Sequence, residues 1–196
     1  MDIEIQKDLR NHEIETAWEY QAEAQKLYTV GEHMMNRFFN GLVYPDGRAV
    51  PAPVFAFEDL RNYRTLAQYY LVPDAYGISH RIDMNTQHYI DMPEGKKWMY
   101  GEIAKFETCL HELVHSWQQT KGADPYKRGA KQTHNAEFVA KCNELGLHPK
   151  TGPGYHIAPP DRESPFGVLM KDLNIAFFLI VFLVSSVKSI LESPII

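Results

Sequence analysis

His111-Glu112-Leu113-Val114-His115 lies in the middle of a stretch, Gly101 to Thr120, whose apolar residues recur at helical spacing. Ile103, Phe106, Leu110, Val114 and Trp117 fall on one stripe, so this segment is predicted to be a helix that packs one face on the domain. Four residues make slightly more than one turn. His111 and His115 therefore stand one above the other on an adjoining face. Two imidazoles in that arrangement can bind one Zn²⁺ at about 2.0–2.1 Å each. Glu112, beside them, is placed to touch a metal-bound water rather than the metal.

A catalytic zinc site takes three protein ligands and keeps one position open. Asn135 to Leu145 reads as a second helix, with Gly146 where a C-terminal glycine belongs. His134 at its start and Glu137 one turn further on are the two candidates for the third ligand. The 18 residues between His115 and His134 suffice for a loop that turns the chain back. Residue pattern alone leaves both candidates open.

Upstream, residues 12–42 read as one helix with a possible break near Gly31; Tyr20, Ala24, Leu27, Met34 and Phe38 lie near one stripe. Prolines and glycine punctuate Tyr44 to Pro53 as a loop. Three short strands follow, at Pro53–Phe57, Thr65–Val72 and Ile78–Asn85. In the third, alternation predicts one buried face carrying Ile78, His80, Ile82 and Met84. His80 is expected to be a satisfied or half-exposed strand residue and not a ligand. Met92 to Gly95 is read as a connection into the long helix.

With these stretches placed, the chain resembles the SprT-like metallopeptidase family. The resemblance rests on Phe38-Phe39-Asn40-Gly41-Leu42, Ile82-Asp83-Met84-Asn85, Thr108 to Trp117, His134-Asn135-Ala136-Glu137-Phe138 and Glu144-Leu145-Gly146-Leu147. It covers residues 12–148. It implies an α+β, zincin-like fold: a long N-terminal helix, a small sheet of about three strands, the HExxH helix and a second ligand-bearing helix. It also implies that His111, His115 and His134 hold the zinc and that Glu112 is the catalytic base of peptide-bond hydrolysis. Asn135 stands where the family usually has glycine. The C-terminal zinc ribbon of many relatives has no counterpart here, because the chain has only two cysteines, Cys109 and Cys142. Both fall in helical apolar patterns and are expected to be reduced core thiols.

Partners are less constrained. The peptidase reading requires a protein substrate. A net charge of −5 argues against a constitutive nucleic-acid binder. Lys121 to Lys131, however, carries four basic residues against one acid, with Tyr126 among them. Some members of the resembling family process proteins attached to DNA, which makes this loop a candidate DNA contact. Tyr155 and His156 are candidates to fold over the site, with a surface loop as the plainer expectation.

The expected organisation is a peptidase domain over residues 1–158 and a C-terminal tail over 159–196. Within the tail, Leu173 to Val187 has 15 residues without charge, short of the about 20 of a spanning helix. Snorkelling by Lys188 would lengthen that run, making a membrane anchor the alternative to a buried or partner-binding helix. Met1-Asp2-Ile3-Glu4 does not begin a secretory signal, so a cytoplasmic location is expected. The rival to a protease is a binding or regulatory protein that keeps the fold with little turnover. Loss of Glu112 would be its simplest sign, and Glu112 is intact.

Overall fold

Two helices, not one, open the chain in the computed structural model: α1 (Ile3–Glu15) and α2 (Gln21–Phe38). The structure describes residues 3–39, 47, 50–71, 78, 80–122, 134–149 and 161–175. The break falls at 16–20, and α2 runs straight through Gly31. Side chains that follow α1 take up its last carbonyls. Trp18 Nε1 donates to Glu13 O at 2.8 Å, while Gln21 and Gln25 both donate to Ile14 O, at 2.9 and 2.8 Å. Gly31 faces the Phe55 ring, which a Cβ there would meet at an ordinary contact distance of 3.5 Å.

The strands β1 (Val54–Glu58), β2 (Ala67–Tyr70) and β3 (Arg81–Asn85) form a sheet in the order β1-β3-β2. β3 is central. It is parallel to β1, with Phe55 opposite Ile82, and antiparallel to β2, with Tyr69 opposite Ile82. The simple alternation expected of β3 does not hold, since Asp83 and Asn85 are as buried as Ile82 and Met84. Both polar side chains are buried with partners, as such burial requires. Arg81 Nε lies 2.6 Å from Asp83 Oδ1. Asn85 Nδ2 donates to the carbonyls of Thr65 (2.7 Å) and Asn62 (3.2 Å), which draws the β1–β2 loop over that face.

A short 3-10 turn (Thr86–His88) leads into a hairpin of β4 (Tyr89–Met92) and β5 (Gly95–Trp98), where a plain connection was expected. Its runs are too short for periodicity to register; the readable signal was Gly95, which takes a φ of +113. Tyr89 and Trp98 pack edge to face at 5.0 Å, and Tyr89 continues into a cluster with Tyr20 and Phe57.

α3 (Gly101–Lys121) is the axis of the fold. It packs against α2, β2, β5 and α4 (Ala136–Leu145). The sequence predicts one packed face, but every residue from Ala104 to Ser116 is buried. Neighbours on several sides leave that part of the helix no solvent face. α4 ends at Gly146 in the left-handed conformation, φ +92, as its position predicts. A Cβ at Gly146 would lie 2.3 Å from that of Ser164, so the end of α4 abuts the start of the next helix.

That helix, α5 (Pro165–Asp172), begins with Ser164 accepting from Gly167 N–H at 3.0 Å and with Pro165 in its first turn. Phe166, Leu169 and Met170 enter the same core as Leu27, Met34, Leu110 and Leu113. Each such fully buried side chain contributes about 1.5–3 kcal/mol. Arg37 joins α2 to α5 through Asp172 at 2.6 Å. Cys109 and Cys142 are buried free thiols, as expected. Among the described residues no helix is long and apolar enough to cross a membrane. Of the 173–187 run, residues from 176 onward lie outside the described residues.

Candidate metal centre

The α3 backbone places His111 and His115 one turn apart, their rings 5.1 Å between centroids and nearly perpendicular at 84°. His134 arrives from a separate element, immediately before Asn135, the N-cap of α4. Its Nε2 lies 3.0 Å from His111 Nε2. One ligand nitrogen from each of the three histidines can be chosen so that all lie within 4.8 Å of one another. Nitrogens bound tetrahedrally at 2.0–2.1 Å would stand about 3.3 Å apart. The His111–His134 pair is already close to that spacing, and three imidazoles suit a transition-metal ion such as zinc, copper, iron or nickel.

Glu137 does not join this cluster. A Cβ on Gly122, at the C-terminal end of α3, would lie 2.7 Å from Glu137 Oε2. That end is seven residues, or about 10 Å along the axis, beyond His115. Of the two candidates for the third position, His134 and Glu137, the fold brings His134 to His111 and His115.

Phe138 is wholly buried and contacts all three imidazoles. It stacks on His115 (4.1 Å, 22°) and His134 (4.6 Å, 17°), and meets His111 edge-on at 4.9 Å. Its spacing of four from His134 was readable in the sequence, but nothing there indicated contact with the other two rings.

Burial dominates the electrostatics. It holds the proton affinity of His111 well below the usual imidazole range, with His115 and His134 lowering it further. Burial, and then His134, lower His115 to about 3. These two imidazoles are thus neutral at physiological pH, the form in which histidine ligates a metal. Glu112, only 5% exposed, is pushed by burial up to about 8, against the opposing effect of a backbone N–H from Tyr69 on β2. Burial, and then Glu112, also raise both cysteine thiols, which disfavours thiolate chemistry at either.

The Tyr69 contact had no signal in the sequence, because it depends on how β2 is laid beside α3. The Tyr69 hydroxyl pairs in turn with His80 Nδ1 at 2.5 Å. His80 is fully buried, lies just before β3 with φ +54, and is lowered by burial to about 4. It is a satisfied core histidine, as expected, and lies outside the metal cluster. Tyr155 and His156, and all of the basic loop except Lys121 and Gly122, lie outside the described residues.

No protein-family model matches the chain, and no curated protein or solved structure is significantly similar to it.

Proposed function

We propose that this chain is a zinc-dependent peptidase of the SprT-like, zincin type. In this reading His111, His115 and His134 hold the metal and Glu112 carries the proton. The observation that supports it most directly is the gathering of three imidazole nitrogens within 4.8 Å around the turn that bears Glu112. Bound zinc would supply a Lewis acid that polarises a carbonyl and lowers the pKa of water to about 7. Glu112 takes a proton from the attacking water at its carboxylate and returns it to the departing amine. In the metal-free site burial raises its proton affinity, and a cation bound beside it would pull it back toward the ionised form that a base needs. The peptide substrate is an extended segment. Among the described strands β2 is an edge, and the Tyr69 N–H on it reaches Glu112, so an added strand would lie beside the proton carrier.

Equimolar zinc in the purified protein and cleavage of an unfolded protein substrate test the reading. Glu112→Gln is expected to keep zinc and lose about 10²–10⁴ of the rate. A variant that holds zinc and cleaves normally would remove Glu112 from this role. Zinc should be lost in His134→Ala and kept in Glu137→Ala; the reverse pattern overturns the ligand set. Action on DNA-associated proteins rests on the resemblance and on the basic 121–131 stretch. It predicts salt-sensitive DNA binding by the full chain, and no binding at low salt would discard it.

A further inference from the structure

We propose that Gln118 and Asn135 form a positioning pair that sets how tightly the histidine centre grips its metal. The inference rests on the zinc-site reading above and adds residues that are not ligands. His111 and His115 share one helix, so their spacing is built into the backbone. His134 belongs to another element, and its place depends on how the start of α4 is held against α3.

One amide oxygen performs that task. Asn135 Oδ1 accepts the Phe138 N–H at 2.9 Å, which starts α4. The same oxygen accepts Gln118 Nε2 at 2.7 Å, which ties α4 to α3. Gln118 is fully buried and lies three residues beyond His115, while Asn135 directly follows His134. The tie therefore joins the helix of two ligands to the residue next to the third. The buried Gln118 amide is costly to desolvate unless it is hydrogen-bonded, and half-buried Asn135 supplies the acceptor for one of its N–H groups. Phe138, whose N–H shares the acceptor, is also the ring that stacks on His115 and His134. Cutting the tie leaves the first two ligands in place and obliges the metal to order the third. Partners outside the ligand set that orient it change affinity by roughly 10–100-fold, and an indirect tie belongs at the low end, about tenfold.

The test uses the full chain and competition with a chromophoric zinc chelator, with the melting of the metal-free protein followed alongside. Asn135→Gly removes the acceptor while leaving a residue that serves well as an N-cap. It should weaken zinc binding about tenfold. Asn135→Asp keeps an acceptor for both donors and should stay within about twofold of the parent protein. Gln118→Met keeps the volume and loses the donor from the opposite side. It should match Asn135→Gly, and the double variant should add little to either single one. Cobalt substitution provides a second readout: the ligand-field bands should change in the Gly and Met variants and not in Asp.

Gln118→Met keeps the proposal testable if Asn135→Gly fails to fold. Lower melting with unchanged zinc affinity and cobalt spectrum in both cut variants would reduce the pair to ordinary core packing and overturn the proposal. Absence of zinc binding in the parent protein would overturn it together with the zinc-site reading. Parent binding with no difference among the variants would overturn the positioning pair alone.

Discussion

α3 carries two buried polar clusters, six residues apart from Lys105 to His111, and they are built on opposite logic. Near the start of the helix, Lys105 is 0% exposed against Glu23 at 1%, with Nζ and Oε2 2.7 Å apart. Glu102 and Lys26 extend the pairing outward, at 3.0 Å to Lys105 and 3.1 Å to each other. Burial would raise the Glu102 carboxyl, but Lys105 and Lys26 outweigh it and hold the group below its ordinary range. Charge there meets opposite charge. In the middle of the helix, imidazoles face imidazoles and depress one another's proton affinity beyond the effect of burial. Glu112 beside them has its proton affinity raised by burial. The first arrangement is complete within the chain. The second would become electrostatically coherent with a cation among the rings, which is the proposal that the contrast puts to the test.

The contrast breaks or sharpens at three points. The largest effect is expected from His115→Ala, which should weaken zinc binding by more than about 100-fold, since even orienting partners are worth 10–100-fold. The metal-free protein should lose only the packing of one buried ring, on the order of 2–4 kcal/mol in urea, with no charge penalty because that ring closes no ion pair. A large loss of apo stability with zinc affinity intact would make the histidines structural after all. Lys105→Met comes next. It leaves the buried Glu23 carboxylate with only the longer Lys26 contact at 3.5 Å and should cost up to about 3–5 kcal/mol, with zinc affinity per folded molecule unchanged. Combining it with Glu23→Leu should recover most of that loss in urea melts, and no recovery would mean that Lys105 matters by its stem and not its charge.

The smallest effect tests an intermediate case. Glu13 on α1 is paired with the Tyr28 hydroxyl, which also accepts from Phe55 N–H at 3.1 Å, and Arg10 covers the Tyr28 ring at 4.9 Å. Burial pushes Glu13 up from 4.5 to about 7, with Tyr28 and Arg10 opposing. The folded-state pKa is raised, so this stabilising contribution is full below about 4.5 and disappears as pH climbs through about 7. Glu13→Gln should flatten stability across that window, by an amount on the order of 1 kcal/mol given the partial exposure of the group. An unchanged pH profile in the variant would show that α1 docks without strain on this carboxyl.

Much of the site was legible because it is local. The His111–His115 spacing, Glu112 between them, and α4 bounded by Asn135 and Gly146 all follow from steps of a few residues along one helix. Some local signals were present but carried no assignment: Ser164-Pro165 announces α5, and Gly95 marks the hairpin turn. Glycine is a poor helix former, so Gly31 is the weak point of the residue pattern, yet α2 runs through it. The real boundary lies where Trp18, Gln21 and Gln25 claim the carbonyls of Glu13 and Ile14.

The residue pattern by itself determined the pair of imidazoles one turn apart, the carboxylate beside them and the helix that bears them, since backbone geometry dictates which side chains share a face four positions apart. Only the tertiary structure brought His134 and not Glu137 to the helix pair, buried Ala104 to Ser116 of α3 on all sides, and brought the Tyr69 N–H to Glu112. Those outcomes depend on the angle and depth at which separate elements pack. Such packing is set by the joint fit of many distant side chains, which no short window of sequence contains.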